Sequence, residues 1–239
     1  MNISIIIPAY NEEKRIKRTV EAYHYFFNQR SDTYVTACEL VVVLNGVTDT
    51  TKTVVTEIAA RLPSVHVIEL AQAGKGLAVK AGFLDALTRD NDLIGFVDAD
   101  MATAPDAFFQ LIQHIASHDG IIASRYMPDS RIYPPRPWIK RWGSTLFYEP
   151  LIWLLFGMRY HDYQCGAKLF TRRVIQKVAP HLTIAQWAFD VELLYLCAVH
   201  RFNILEFPTV WHDQAGSKLR ISSGLRMLIN IIRLRLGIR

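Results

Sequence analysis

Leu93-Ile94-Gly95-Phe96-Val97-Asp98-Ala99-Asp100 is the stretch that decides the fold. A short, unbroken apolar run reads as a strand covered on both faces, and its two carboxylates stand just past its end. Runs of the same kind lie to either side. Ile3–Ile7, Glu39–Leu44, His66–Leu70 and Gly120–Ser124 read as further strands, and Asn203–Pro208 as a later one. Helical patterns fill the gaps at Glu12–Asn28, Thr50–Arg61, Lys75–Arg89 and Pro105–Ser117, with another near Trp187–His200. Strand and helix alternating at this spacing predict βαβ units, hence an α/β fold with a mostly parallel central sheet flanked by helices. Ligands of such sheets gather beyond the carboxyl ends of the strands, so the loop after each strand is where chemistry is expected.

Composition narrows the class. The chain has 239 residues, 51% of them hydrophobic and 21% charged, which excludes disorder, a collagen-like repeat and a small disulfide scaffold. Its 27 Lys and Arg against 22 Asp and Glu give a formal charge of +5. That charge is not evenly spread. Lys218, Arg220, Arg226, Arg233, Arg235 and Arg239 all fall in the last 24 residues, which contain no acid. The first 215 residues, with 21 basic and 22 acidic side chains, are close to neutral. A basic tail on a neutral globule points to an anionic partner. Cys38, Cys165 and Cys197 form no C-x-x-C pair and are expected to be buried and reduced. No secretory leader is read at the N-terminus. Trp142–Met158 is apolar but contains Glu149 and Pro150, and it falls short of the roughly 20 residues of a membrane span, so a buried or interfacial segment is expected. Arg125–Lys140, with four prolines and four basic residues, reads as a loop.

Three loops can carry chemistry. Asp98 and Asp100 can share one hard cation, Mg²⁺ or Mn²⁺, although Asp100 or Thr103 ahead of Pro105 can equally start the next helix. In Pro8-Ala9-Tyr10-Asn11-Glu12-Glu13, Asn11 suits a helix cap, while Tyr10 can stack on a base and Glu12 can accept hydrogen bonds from a nucleoside. Ala73-Gly74-Lys75-Gly76-Leu77 lacks the third glycine of a dinucleotide fingerprint, where Val79 stands. It also lacks the first glycine and the Ser or Thr of a P-loop, where Glu69 and Gly76 stand. What is left is a loop presenting Lys75 at a helix N-terminus, suited to an anion.

In order along the chain come Ile7-Pro8-Ala9-Tyr10-Asn11-Glu12, Gly74-Lys75-Gly76, Asp98-Ala99-Asp100, Ser124-Arg125, Asp162-Tyr163-Gln164-Cys165-Gly166-Ala167-Lys168-Leu169-Phe170, Trp187-Ala188-Phe189-Asp190-Val191-Glu192-Leu193-Leu194 and Gly216-Ser217-Lys218-Leu219. This series resembles the family 2 glycosyltransferases of the GT-A fold, and within them the branch of dolichyl-phosphate β-glucosyltransferases and polyprenyl-phosphate hexosyltransferases. The chain is read as one GT-A catalytic domain over residues 1–215 followed by a basic amphipathic helix over 216–239. It implies inverting, metal-dependent transfer of a hexose, glucose first, from a nucleotide-sugar such as UDP-glucose to polyprenyl or dolichyl phosphate. By it, Pro8, Tyr10, Glu12, Asn45, Lys75 and Asp98 belong to the nucleotide site, and Asp98 and Asp100 to a Mg²⁺ or Mn²⁺ ion. Arg125 and Arg141 meet the acceptor phosphate, and Lys218 closes over a phosphate. Asp162 is the candidate base or orienting group; Asp190 is expected instead to pair with nearby basic groups. One departure stands out: where the family commonly has Asp-Asp-Gly-Ser, this chain has Leu44-Asn45-Gly46-Val47, so an amide replaces the acid that reads the base. A hydroxyl acceptor and a non-catalytic nucleotide-sugar binder are the alternatives.

The tail reads as a helix from Ser222. Arg226, Asn230, Arg233 and Gly237 share a narrow face, and Leu225, Leu228, Ile229, Ile231, Ile232, Leu234, Leu236 and Ile238 fill the rest. A wide apolar sector edged with basic residues suits a membrane surface, with packing on the domain or against a second copy in a homo-dimer as alternatives. The resulting expectation is a peripheral enzyme on the cytoplasmic face of a membrane. Nothing in the sequence resembles nucleic-acid recognition.

Overall fold

The computed structural model describes residues 1–29, 34–135, 149–214 and 221–236. The alternation runs β1 (Asn2–Ala9), α1 (Ile16–Asn28), β2 (Ala37–Asn45), α2 (Thr51–Arg61), β3 (Val65–Leu70), α3 (Lys75–Ala86), β4 (Leu93–Val97), α4 (Pro105–His114) and β5 (Gly120–Ser124). Then follow β6 (Arg131–Tyr133), α5 (Glu149–Phe156), β7 (Ala167–Thr171), α6 (Arg172–Val178), α7 (Phe189–Val199), β8 (Ile204–Pro208), β9 (Val210–His212) and α8 (Ile221–Leu236).

Seven strands form one sheet in the order β3-β2-β1-β4-β7-β5-β8, and β6 pairs with β9 in a small ribbon. Among the described strands of the large sheet only β7 runs antiparallel, inserted between β4 and β5. The order reverses between β1 and β4, so the crevice at a switch point opens above the ends of those two strands. Pro8-Ala9-Tyr10 and Asp98-Ala99-Asp100 both lie there.

Side chains alternate between two cores, as a period of two requires. Ile3, Ile5 and Ile7 of β1 and Leu40, Val42 and Leu44 of β2 pack on one face with Val20, Tyr23 and Phe27 of α1 and Phe108 of α4. Ile6, Val41 and Val43 face the other way, onto Val79 and Phe83 of α3, Ile175 of α6 and Phe189 of α7. All three cysteines are buried and unpaired, and burial pushes the Cys165 and Cys197 thiols up to about 12.

The tail helix does not stand off the domain. Ile231 is fully buried in the second core, with Met227 packed beside it, and the Gln164 amide donates to the Met227 sulfur. The opposite side of α8 exposes Leu228, Ile229, Ile232 and Leu236. Helix α5 likewise buries Ile152 and exposes Trp153 and Leu154. None of the described helices is long and apolar enough to cross a membrane.

Candidate active site

The first two loops are laced together. Asn11, in a left-handed conformation, clasps Thr48: its amide donates to Thr48 Oγ1 (3.0 Å) and its Oδ1 accepts the Thr48 N–H (2.8 Å). Thr51 Oγ1 accepts the Glu12 N–H at 2.7 Å, and the Glu13 carboxylate accepts from the Thr50 hydroxyl at 2.6 Å. Asn11 is therefore no helix cap. Helix α1 starts later, at Ile16, and the polar run holds two loops in register instead. Glu12 is nearly buried and bonded to Arg15 at 2.6 Å, and Tyr10, 41% exposed, stands at the lip of the crevice.

Asn45 lies deeper than the place of a base-reading group suggests. It is buried; its amide nitrogen donates to Ala9 O (2.9 Å) and its Oδ1 accepts the Gly74 N–H (3.0 Å). Both ends of the amide are committed to backbone, tying β1 and the β3–α3 loop to the end of β2.

Asp98 and Asp100 cap β4. The Asp98 N–H donates to Gly166 O at 2.9 Å, and a Cβ at Gly166 would run into the Asp98 carboxylate, so only glycine lets β7 approach this closely. The Lys75 ammonium reaches Asp98 Oδ1 at 2.5 Å, enclosed by the rings of Phe96, Trp187 and Phe189 at 5.6–5.8 Å. Burial would lower the Lys75 pKa, but Asp98 and Asp190 hold it above its ordinary value. Asp100 accepts the Ala102 N–H at 3.0 Å, and its carboxyl is raised by burial and then by the Asp98 charge. Two crowded carboxylates, one of them strained by the other's charge, form an all-oxygen donor pair of the kind a hard divalent cation relieves. Among the described residues no third His, Cys, Asp or Glu completes a protein-only cage. His212 is close through its backbone: its N–H donates to Ala102 O at 2.8 Å while its ring stacks on Tyr133.

The expectation of an anion at the α3 N-terminus is corrected. The Gly76 and Leu77 N–H groups both donate to Ala185 O, at 2.9 and 3.3 Å, so the helix end is already capped by the chain. A Cβ at Gly76 would collide with Ile184 O, which explains the glycine after Lys75. Lys75 itself keeps its place beside Asp98.

Arg125 and Asp162 form a buried fork. Arg125 Nε and Nη2 donate to Asp162 Oδ2 (2.6 Å) and Oδ1 (2.9 Å), the Arg125 N–H adds a third bond at 3.0 Å, and the guanidinium lies 4.9 Å from the Trp211 ring. Burial alone would push the Asp162 carboxyl up, yet Arg125 holds it below the usual carboxylate range. Both Asp162 oxygens are thus taken by Arg125 and its basicity is lowered. Asp190 pairs with Lys168 at 2.6 Å, both fully buried, and Lys168 also donates to Cys165 O at 2.7 Å. Arg141 and Lys218 lie outside the described residues. Gly166, Trp211 and Glu192, whose carboxylate accepts the Thr183 and Ile184 N–H groups, carry no role in the sequence reading. Gly166 and Glu192 lie inside quoted motifs and Trp211 outside them; their contacts become legible only with the neighbours in place.

The switch-point crevice, the Asp98/Asp100 pair at the end of β4 and the one reversed strand agree with the GT-A fold that the sequence resemblance implies. The chain belongs to glycosyl transferase family 2, whose model matches residues 4–179. It is 34% identical over 98% of its length to a dolichyl-phosphate beta-glucosyltransferase of Dictyostelium discoideum, covering 73% of that protein. It is 35% identical over 92% of its length to the Drosophila melanogaster enzyme of the same name, covering 69% of it. In fold it matches glucosyl-3-phosphoglycerate synthase from Mycobacterium tuberculosis, crystallised with Mn²⁺, UDP and glucosyl-3-phosphoglycerate. That match has a TM-score of 0.69 at 18% identity, over 100% of this chain and 81% of the other.

Proposed function

We propose that this glycosyltransferase moves glucose from UDP-glucose to a polyprenyl or dolichyl phosphate, with inversion and with a divalent cation. The observation that carries the choice of acceptor is the pairing of the carboxylates. Asp162, the candidate base, is locked to Arg125, and Asp190 is paired with Lys168 as expected, so neither carboxylate is free to deprotonate a hydroxyl. A phosphate acceptor needs no base, because it is anionic near neutral pH. Its oxygen bonds to the anomeric carbon as the bond to the diphosphate breaks, and the nucleoside diphosphate departs with the electron pair.

Positioning and charge then supply the catalysis. Tyr10 offers a face for the base, and Pro8, Glu12 and Asn45 shape the wall behind it. Asp98 and Asp100 would hold Mg²⁺ or Mn²⁺, which supplies positive charge at the departing diphosphate. Lys75 adds its own charge there. Arg125, aimed by Asp162, meets the acceptor phosphate, helped by Arg141 and Lys218. The names of the relatives support glucose and a dolichyl-type acceptor. The exposed apolar residues of α5 and α8, with Arg233 and Arg235, support contact with a lipid surface; that surface is taken to be the cytoplasmic face of a membrane. A panel of UDP- and GDP-sugars, each with Mn²⁺ and undecaprenyl phosphate and read by nucleotide release, tests the assignment. UDP-glucose is expected to give the fastest lipid-dependent release. Release that depends on a sugar hydroxyl and ignores the lipid phosphate would favour the other acceptor class.

A further inference from the structure

Glu192 sits in α7, one turn inside its start, and is 1% exposed. Its carboxylate does not point at the crevice. It accepts the Thr183 N–H at both oxygens (2.9 and 3.0 Å), the Thr183 hydroxyl at 2.5 Å and the Ile184 N–H at 2.8 Å. Three donors, one of them shared by both oxygens, bond to this one carboxylate, and none of them belongs to α7. What they fix directly is Thr183 and Ile184, and the residues that follow, 185–187, reach the Lys75 loop. Ala185 O takes the Gly76 and Leu77 N–H groups, the Gln186 amide donates to Ala73 O at 3.1 Å, and the Trp187 ring lies 5.6 Å from the Lys75 ammonium.

We infer that Glu192 is a positioning residue for Lys75: it clamps segment 183–187 over the N-terminus of α3 and thereby sets where the Lys75 ammonium meets the donor diphosphate. This rests on the nucleotide-sugar reading above. The linkage is one of backbone geometry. If the clamp loosens, Ala185 withdraws, the first turn of α3 frays, and Lys75 loses both its helix register and the ring of Trp187.

The test compares full-length wild type with Glu192→Gln, whose amide NH₂ would face N–H donors, and with Thr183→Val, which removes the hydroxyl bond alone. Amide hydrogen exchange at Gly76 and Leu77 is measured without any donor, and transfer kinetics are measured with the donor and the acceptor varied separately. A displacement of about 1 Å at a charged contact is worth up to roughly 100-fold in rate. The expectation for Glu192→Gln is faster exchange at Gly76 and Leu77, a fall of about 10-fold or more in kcat/KM for the donor, and an unchanged KM for the acceptor. Thr183→Val is expected to move the same quantities less, and it decides the matter alone if Glu192→Gln does not fold. Donor kcat/KM within twofold of wild type overturns the inference, as does an equal change in the acceptor KM, which would indicate general loosening. If wild type turns over no nucleotide-sugar, the reading of function has failed and exchange alone judges the clamp: unchanged protection of Gly76 and Leu77 overturns it.

Discussion

Replacing Lys168 by Met removes one charge from the centre of the sheet and leaves another stranded. Lys168 is 0% exposed and Asp190 3%, and the ammonium is bonded to Asp190 Oδ1 at 2.6 Å and to Cys165 O at 2.7 Å. Methionine follows the lysine stem closely, so packing against Phe96 is largely kept and the loss is electrostatic. Burial already pushes the Asp190 carboxyl up against the pull of Lys168 and then Lys75. Without Lys168 that balance tips, and breaking a buried pair from one side costs about 3–5 kcal/mol. For a chain of this size each kcal/mol moves the Tm by about 2–4 °C, so Lys168→Met should melt roughly 6–20 °C below wild type. The double variant Lys168→Met/Asp190→Leu removes the stranded charge together with its partner, and such replacements are often neutral or better, so it should recover most of the loss. Urea and thermal melts of the four proteins close the double-mutant cycle. A single variant within about 1 kcal/mol of wild type, or a double variant no better than the single, would refute the reasoning.

Three further outcomes follow from the same geometry. Asn45→Asp restores the residue common in the family, yet it turns a carboxylate onto Ala9 O where the amide donated; it should cost about 1–3 kcal/mol in urea melts, and a neutral result would mean that the Ala9 bond is not needed. Arg125 holds the Asp162 pKa below its ordinary value, so the pair's contribution is fully present above the unfolded value near 3.9 and is lost as pH falls through the lower folded value. The stability gap between wild type and Asp162→Asn should therefore be flat from about pH 5 to 8 and close only below about pH 4; a gap that changes between pH 5 and 8 contradicts the pairing. Serine at Leu228, Ile229 and Ile232 should weaken binding to anionic liposomes while moving stability by no more than about 0.5 kcal/mol each, whereas Ile231→Ser should unfold the docked helix, and equal effects would erase the distinction between the two faces.

The strands of the parallel half were legible because their apolar runs are unbroken, and the Asp98/Asp100 pair was legible because its strand delivers it to the sheet edge. β7 was not. Lys168 interrupts its apolar pattern, and only the fold shows that Asp190, 22 residues away, neutralises it. The loops misled for a related reason. Asn11 carries the chemistry of a helix cap and Gly74-Lys75-Gly76 that of an anion loop, but tertiary partners, Thr48 and Ala185, take the groups that local reading left open. The tail divided: its amphipathic pattern was plain from sequence, while the burial of Ile231 against α7 depends on a neighbour that no periodicity reveals.

The central claim is the acceptor. Purified full-length protein incubated with UDP-[¹⁴C]glucose, Mn²⁺ and dolichyl phosphate in detergent should move label into the organic phase as a glucosyl-phospholipid, and chelation of the metal should abolish it. Label that stays in the aqueous phase, or reaches only hydroxyl acceptors, would contradict the account.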